Sequence, residues 1–213
     1  MNPLFECRLY GILDTGYVAQ ERLVPVLLAL IEGGVDILQL RAKRNSQEEI
    51  LAMAREIAPI CRAAGIPFIL NDYPELVQEA GADGAHVGQD DLSVAEARCV
   101  AGPGKIIGKS THSPEQASAA ALEHPDYLGF GPLFATPTKP DYTPIGTEDI
   151  RSVHARLDLP IFCIGGIKLE NLDTILAAGA RRVVIVSGLL QAPDIAAYCR
   201  EAKARLDAVP LAV

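Results

Sequence analysis

The amino-acid sequence predicts a (β/α)₈ barrel, and three observations support this fold class. Short apolar segments alternate with longer helix-like segments eight times along the 213 residues. The apolar segments are continuous in Ile, Val and Leu, which is typical of parallel strands covered on both faces. Polar residues and glycines follow nearly every one of them. Because no linker or low-complexity stretch interrupts the pattern, we expect a single domain over residues 1–213.

Each repeat of the pattern is predicted to contribute one strand and one helix. The predicted strands span residues 8–13, 36–40, 67–70, 84–87, 105–107, 127–129, 161–164 and 182–186. The predicted helices span residues 18–31, 47–64, 74–80, 94–100, 114–123, 148–157, 169–178 and 193–207. Ser93, Ser113 and Thr147 are predicted N-caps. Gly65, Gly81 and Gly179 are predicted to end helices.

The alternative fold is a doubly wound open sheet, whose usual mark is a glycine-rich G-x-G-x-x-G turn after the first strand. The first predicted strand instead leads into Asp14-Thr15-Gly16. The sequence therefore favours the barrel.

Composition excludes several classes of partner. The formal net charge is −8, whereas nucleic acids and anionic membranes attract cationic surfaces. The longest apolar run, residues 23–31, is far shorter than the ~20 residues that cross a bilayer. The five cysteines are scattered, without a disulfide or zinc pattern. We expect a cytoplasmic protein with no nucleic-acid or membrane partner, and a homo-oligomer is left open.

The polar strand ends are the predicted functional site, since active sites of barrels lie at the carboxyl ends of the strands. Gly165-Gly166 and Ser187-Gly188 suit a phosphate, although the first pair could simply form a tight turn. Arg41, Lys43 and Lys139 suit a pyrophosphate, against the alternative of solvated surface cations.

Asp72 and Asp91 follow neighbouring strands and suit Mg²⁺, which takes carboxylates, waters and phosphate oxygens. The alternative is that both carboxylates cap helices. His86 lies inside an apolar strand, where a hydrogen-bonded core histidine is expected, and His112 beside the Ser113 cap fits a surface position. No arrangement of nucleophile, base and orienting group is present, so hydrolysis through a triad is not supported.

Taken in order, these segments resemble thiamine-phosphate synthases. The likeness runs from about Leu9 to Ser187. The segments that carry it are Gln39-Leu40-Arg41-Ala42-Lys43, Asn71-Asp72, His86-Val87-Gly88-Gln89-Asp90-Asp91, Gly129-Phe130-Gly131-Pro132, Thr136-Pro137-Thr138-Lys139, Gly165-Gly166-Ile167 and Val186-Ser187. One departure is at the first strand, where the family often has a Thr-Asp step and this sequence reads Ile12-Leu13-Asp14. The role of Asp14 is left open.

The resemblance implies a Mg²⁺-dependent barrel enzyme that joins 4-amino-2-methyl-5-hydroxymethylpyrimidine diphosphate to a (carboxy)thiazole phosphate and releases pyrophosphate. It implies that the pyrimidine diphosphate is held by Gln39, Arg41, Lys43, Asn71, Ser110 and Lys139, and the metal by Asp72 and Asp91. The thiazole phosphate would be bound by Thr136, Thr138, Gly166, Val186 and Ser187. Leu40, Ala42 and Pro137 belong to the same substrate-binding segments. Arg41, Lys43, Lys139 and Ser110 are the expected catalytic residues.

The expected chemistry is a dissociative displacement in which Mg²⁺ and the cations stabilise charge on the departing pyrophosphate. No general base is needed. Two alternatives stay open: a thiazole tautomerase-like isomerase using His112, and a non-catalytic barrel that binds phosphate ligands. The loop over residues 135–147 is expected to close over the site.

Overall fold

The computed structural model describes residues 3–136 and 143–211, and its eight parallel strands form a closed barrel. Each strand pairs with the next along the chain, and the last pairs with the first. The strands are β1 (Leu9–Asp14), β2 (Ile37–Arg41), β3 (Phe68–Asn71), β4 (Gly84–Val87), β5 (Ile106–Thr111), β6 (Tyr127–Phe130), β7 (Ile161–Cys163) and β8 (Val183–Ile185). The predicted fold class is confirmed.

Helices connect consecutive strands on the outside of the barrel. They are α1 (Leu23–Glu32), α2 (Gln47–Ala64), α3 (Val77–Ala80), α4 (Val94–Ala101), α5 (Pro114–Ala121), α6 (Ile150–Arg156), α7 (Leu169–Ala177), α8 (Ser187–Leu190) and α9 (Ile195–Asp207). Short 3₁₀ helices lie at Pro3–Phe5, Gln20–Arg22 and Pro74–Leu76. Among the described residues, no helix combines the length and the apolar character needed to cross a membrane.

Two apolar layers hold the barrel together. Side chains alternate along a strand, so Leu9 and Leu13 of β1 pack outward against the helices, whereas Tyr10 and Ile12 point into the barrel. The inner layer is aromatic at its centre, where the Phe162 ring meets those of Tyr10 and Tyr127 edge to face. This layer fills the barrel beneath its carboxyl end.

Most of the predicted helix ends are confirmed. The Ser93 and Ser113 hydroxyls accept hydrogen bonds from the N–H groups three residues further on, as N-caps do. Gly65, Gly81 and Gly179 follow helices with positive φ angles, which glycine adopts without strain. The Thr147 prediction is wrong, because α6 begins only at Ile150, after Asp149.

Several strand and helix limits differ from the prediction, by up to five residues at α1, which begins at Leu23 rather than at residue 18. The sequence predicts that β5 ends at Ile107, but the strand continues to Thr111. Its last residues are polar because Ser110 lines the interior of the barrel. Helix α8 was not predicted; its four residues are too few to show a helical period.

Candidate active site

A cavity opens at the carboxyl ends of the strands, above the aromatic layer. Predicted site residues from β2, β3, β5 and the segments after β6, β7 and β8 line it together: Gln39, Arg41, Asn71, Ser110, Thr136, Gly166, Val186 and Ser187. Pro137, Thr138 and Lys139 lie outside the described residues. The barrel thus brings together residues that are separated by up to about 150 positions in the sequence.

Arg41 reaches this cavity as one member of a buried ion pair. Its Nη1 atom lies 2.7 Å from Oδ2 of Asp14, at the end of the neighbouring strand β1. The side chains of Arg41 and Asp14 are only 15% and 3% exposed. Oδ1 of Asp14 accepts a further hydrogen bond from the Gly16 N–H at 2.8 Å. Asp14 therefore fixes the guanidinium, a role that the sequence left open.

Lys43 contacts a predicted metal ligand, and neither of these two residues nor Asp91 is among those that line the cavity. The Lys43 Nζ atom is 2.5 Å from Oδ2 of Asp72, which follows β3. Burial and the nearby Asp91 raise the pKa of Asp72, although the Lys43 ammonium acts in the opposite direction. Two carboxylates from neighbouring strand ends thus share one patch that already attracts a cation.

The backbone at Asp72 is strained in a way that supports a functional role. Asp72 and Tyr73 have φ angles of +60° and +37°, in the left-handed region that residues other than glycine rarely occupy. The Asp72 N–H donates to the carbonyl of His86 at 2.9 Å. This bond holds the turn against β4.

Asp91 caps a turn as well as facing Asp72. Its Oδ2 atom accepts a hydrogen bond from the Gly88 N–H at 2.6 Å. This bond closes a turn before α4, whose N-cap is Ser93, so the alternative that Asp91 caps the helix is wrong. No group of three or more His, Cys, Asp or Glu ligands occurs in the described part of the chain. Asp72 and Asp91 could hold a hard cation only if waters and substrate oxygens completed the coordination shell of the ion.

Leu40 and Ala42 do not line the cavity. Both are buried in the outer layer, because alternation along β2 turns them towards the helices while Gln39 and Arg41 turn inward. Any contact of Leu40 or Ala42 with a substrate would have to come from the backbone. The prediction for these two side chains is corrected accordingly.

Five polar side chains form a continuous hydrogen-bonded network at the floor of the cavity, which we call the floor network: Gln39, Tyr10, Tyr127, His86 and Ser110. His86 is hydrogen-bonded as expected, but its ring also lines the cavity. The two tyrosines were missed by sequence reasoning. The only sign of them in the sequence is Gly108, a glycine within a strand, which leaves room for a large neighbouring side chain. A Cβ atom at this position would lie 2.1 Å from Cζ of Tyr127.

Gly165 and Gly166 allow the segment after β6 to cross the end of β7. Their φ angles are +98° and +65°. A Cβ atom at Gly165 would lie 2.3 Å from Cβ of Pro132, and one at Gly166 would lie 2.7 Å from Cβ of Phe134. The tight-turn reading of these glycines is therefore correct, and Gly166 also lines the cavity.

His112 lies against the cavity rather than on the open surface. Its ring is half-buried, and Nδ1 is 2.5 Å from the carbonyl oxygen of Gly131. Since a carbonyl can only accept, Nδ1 carries the hydrogen in this contact.

The fold and the site together define an α/β-barrel protein with a small-molecule site at the carboxyl ends of its strands. The sequence model of the family described as thiamine monophosphate synthase matches residues 9–189. The chain belongs to this family, and it is an enzyme of the transferase class that acts in thiamine biosynthesis.

Individual relatives agree with this assignment. The chain is 40% identical over 193 residues to a thiamine-phosphate synthase of Halalkalibacterium halodurans, covering 90% of this chain and 92% of the relative. It is 45% identical over 178 residues to a thiamine-phosphate synthase of Thermus thermophilus, covering 83% and 85%. The solved thiamine phosphate pyrophosphorylase of Pyrococcus furiosus superposes with a TM-score of 0.86 at 27% identity, covering 95% of this chain and 96% of that one.

Proposed function

We propose that the enzyme joins 4-amino-2-methyl-5-hydroxymethylpyrimidine diphosphate to a thiazole phosphate and releases pyrophosphate. Relatives named thiamine-phosphate synthase support this reaction. The observation that carries the proposal is the meeting of Lys43, Asp72 and Asp91 directly after strand ends whose residues Arg41 and Asn71 line the cavity. Cations and carboxylates placed together suit a diphosphate that arrives with a divalent metal ion.

The diphosphate would be bound on the side of the cavity formed by β2, β3 and β5. Arg41 can bind two oxygens with its planar guanidinium, and Lys43 can act as a mobile point charge. Asn71 and Ser110 line the same cavity and add neutral hydrogen-bonding groups. The Asp14 contact limits the positions that Arg41 can take, so less motion is lost when the ligand binds.

Asp72 and Asp91 are the residues that would hold Mg²⁺. Their donor set fits this ion, since Mg²⁺ binds through one or two carboxylates and retains waters and phosphate oxygens. Burial and, to a smaller extent, Asp91 raise the pKa of Asp72, and a cation bound between the two carboxylates would favour their ionised forms. When bound, Mg²⁺ supplies positive charge that offsets the negative charge developing on the leaving pyrophosphate.

In the proposed reaction, the bond between the pyrimidine methylene carbon and the diphosphate oxygen breaks, and its electron pair leaves with pyrophosphate. The lone pair of the thiazole nitrogen then forms the new carbon–nitrogen bond. Neither step transfers a proton, so a general base is not required. Arg41, Lys43 and Ser110 would act by position and charge, with Lys139 as a further predicted cation.

The thiazole phosphate would be bound on the opposite side, beside Gly166, Val186 and Ser187, with Thr136 and Thr138 as predicted partners. Backbone N–H groups near glycines can approach a phosphate closely. The two substrates would then face each other across the aromatic floor.

The experiment that tests the proposal measures pyrophosphate release with both substrates and with each substrate alone. We expect release only when both substrates and Mg²⁺ are present. A His112→Ala variant separates the isomerase alternative. We expect a mild effect on coupling, within about threefold, because His112 has no proton to transfer in this reaction. Isomerisation of the thiazole phosphate that is lost in His112→Ala, without coupling in the wild type, would contradict the proposal.

A further inference from the structure

The floor network crosses the barrel from β2 to β5 through four consecutive contacts. Gln39 Nε2 lies 2.8 Å from the hydroxyl of Tyr10, which lies 2.9 Å from the hydroxyl of Tyr127. The Tyr127 hydroxyl lies 3.0 Å from His86 Nδ1. His86 Nε2 lies 2.8 Å from Oγ of Ser110, at the cavity wall. All four distances are those of ordinary hydrogen bonds.

Burial makes the hydrogen positions in this network interdependent. Gln39, Tyr10 and Tyr127 are 3%, 1% and 0% exposed, so bulk water does not satisfy their polar groups. A buried hydroxyl hydrogen without an acceptor is costly, and each tyrosine has only one hydrogen to donate. The direction of one hydrogen bond therefore determines the direction of the next.

Two directions satisfy every member of the network. In the forward direction, Gln39 donates to Tyr10, Tyr10 to Tyr127, and Tyr127 to Nδ1 of His86. His86 then carries its hydrogen on Nε2 and donates to Ser110, whose own hydrogen is left for the cavity. In the reverse direction, the Ser110 hydrogen is used on His86, and the Gln39 amide must turn so that its oxygen, not its nitrogen, faces the Tyr10 hydroxyl.

We propose that the floor network runs in the forward direction, so that Tyr10 and Tyr127 are positioning residues that make Ser110 a hydrogen-bond donor to the substrate diphosphate. The choice of direction rests on the proposed function, since an anion beside Ser110 requires a donor there. The amide nitrogen of Gln39 facing Tyr10 gives the same direction at the other end of the network. Each bond in the forward direction also points its positive end towards the anion.

Two glycines leave the space that the rings of the floor network occupy. Gly108 leaves the space that the Tyr127 ring fills, and a Cβ atom at Gly129 would lie 3.4 Å from Cε1 of His86. The Gln89 side-chain amide also donates to the Ser110 carbonyl, which fixes the backbone at the end of the network. The rings consequently have little freedom to break their contacts.

The direct test is the ¹⁵N NMR spectrum of His86 in the resting protein, assigned with a His86→Asn variant. We expect an unprotonated Nδ1 and a protonated Nε2. The wild-type spectrum alone decides the direction, so the test does not depend on whether any tyrosine variant folds. A protonated Nδ1 would overturn the inference.

Two matched variants test the positioning role, because each removes one buried hydroxyl group. In Tyr127→Phe, Nδ1 of His86 loses its donor, and we expect a mixture of the two tautomers. In Tyr10→Phe, the Tyr127 hydroxyl can still donate to Nδ1, and we expect the wild-type tautomer to remain. An unchanged His86 spectrum in Tyr127→Phe would show that the network does not set the tautomer.

A double-mutant cycle links the network to ligand binding, with Mg²⁺ and inorganic pyrophosphate as the probe. We expect Ser110→Ala to weaken pyrophosphate binding about tenfold in the wild type and clearly less in the Tyr127→Phe background. Equal losses in both backgrounds would contradict the inference. If the wild type binds no pyrophosphate, the proposed function fails, whereas the tautomer of His86 still decides the direction of the network.

Discussion

At the scale of single residues, the buried pair of Asp14 and Arg41 is the clearest link between stability and the site. Breaking a buried ion pair leaves an uncompensated charge away from water, which costs far more than the loss of an exposed pair. The pair formed by Arg200 and Glu32 is exposed and gives a matched comparison.

We expect Asp14→Asn to lower the free energy of unfolding by about 2–4 kcal/mol, because the Arg41 guanidinium loses its counter-charge. Glu32→Gln makes the same chemical change in the exposed pair and should cost less than about 1 kcal/mol. Urea unfolding of both variants at neutral pH is the measurement. Equal losses would show that Asp14 does not compensate Arg41.

His154 makes stability depend on pH. Burial and, to a smaller extent, the neighbouring Arg182 and Arg181 lower the pKa of His154 from 6.5 to about 4. The unfolded chain therefore binds a proton more readily than the folded protein in this range. The stability that the neutral ring provides is complete above pH 6.5 and is lost as the pH falls towards 4.

We expect wild-type protein to lose about 1–3 kcal/mol relative to His154→Gln between pH 6.5 and pH 4, because glutamine does not take up this proton. Unfolding free energies measured across this range check the prediction. His124→Asn changes an exposed histidine and should follow the wild type. A His154→Gln curve parallel to the wild type would refute the assignment.

Residues at strand ends could be predicted from the sequence, whereas residues at the cavity floor could not. Gln39, Arg41 and Asn71 are polar residues at the ends of apolar strands, so topology alone places them together. Tyr10 and Tyr127 are ordinary apolar-layer residues by pattern, and only three-dimensional packing joins their hydroxyls. The ion pairs of the predicted cations also depend on register between neighbouring strands, which one sequence does not reveal.

At the scale of elements, the burial of both strand faces explains where the prediction from the sequence is confirmed and where it is wrong. Continuous apolar segments predicted the number and order of strands, because both faces of each strand are covered. The same rule ended β5 too early, since the inward face becomes polar where the cavity begins. The wrong N-cap at Thr147 and the missed helix α8 have another reason: both depend on local loop geometry, which the helical pattern of the sequence does not show.

Close packing between β5 and β6 gives a prediction at this scale. We expect Gly108→Ala to destabilise the protein by about 2–4 kcal/mol, because the new Cβ atom would lie 2.1 Å from the buried Tyr127 ring. Gly11→Ala in β1 is the control, since its nearest neighbour lies at 3.4 Å, and it should cost less than about 1 kcal/mol. Thermal or urea unfolding of both variants is the measurement. Similar losses would indicate a general cost of alanine in these strands.

At the scale of the whole molecule, an acidic protein provides a site for anionic substrates by local arrangement. The net charge of −8 gives no hint of such a site. The structure also shows that two of the three predicted cations are paired with carboxylates, Arg41 with Asp14 and Lys43 with Asp72. Because these ion pairs partly neutralise Arg41 and Lys43, a divalent cation would add the positive charge that an anionic substrate needs. Cytoplasmic location and loop closure stay predictions.

The proposed metal dependence gives a prediction at this scale. We expect Asp72→Asn and Asp91→Asn each to weaken Mg²⁺-dependent pyrophosphate binding at least tenfold and to lower coupling by two orders of magnitude or more. Calorimetric titration of the folded variants measures binding independently of turnover. Asp90→Asn changes an exposed carboxylate beside the pair and is the control. Wild-type binding in both site variants would remove the metal assignment.

The central claim is that the carboxyl end of this barrel couples two phosphorylated substrates with loss of pyrophosphate. Mass spectrometry of the organic product, combined with pyrophosphate quantification, tests it most directly. With Mg²⁺ and both substrates, we expect thiamine phosphate and pyrophosphate in equal amounts, and neither when one substrate is omitted. Pyrophosphate release that does not depend on the thiazole phosphate, or the absence of a joined product, would contradict the claim.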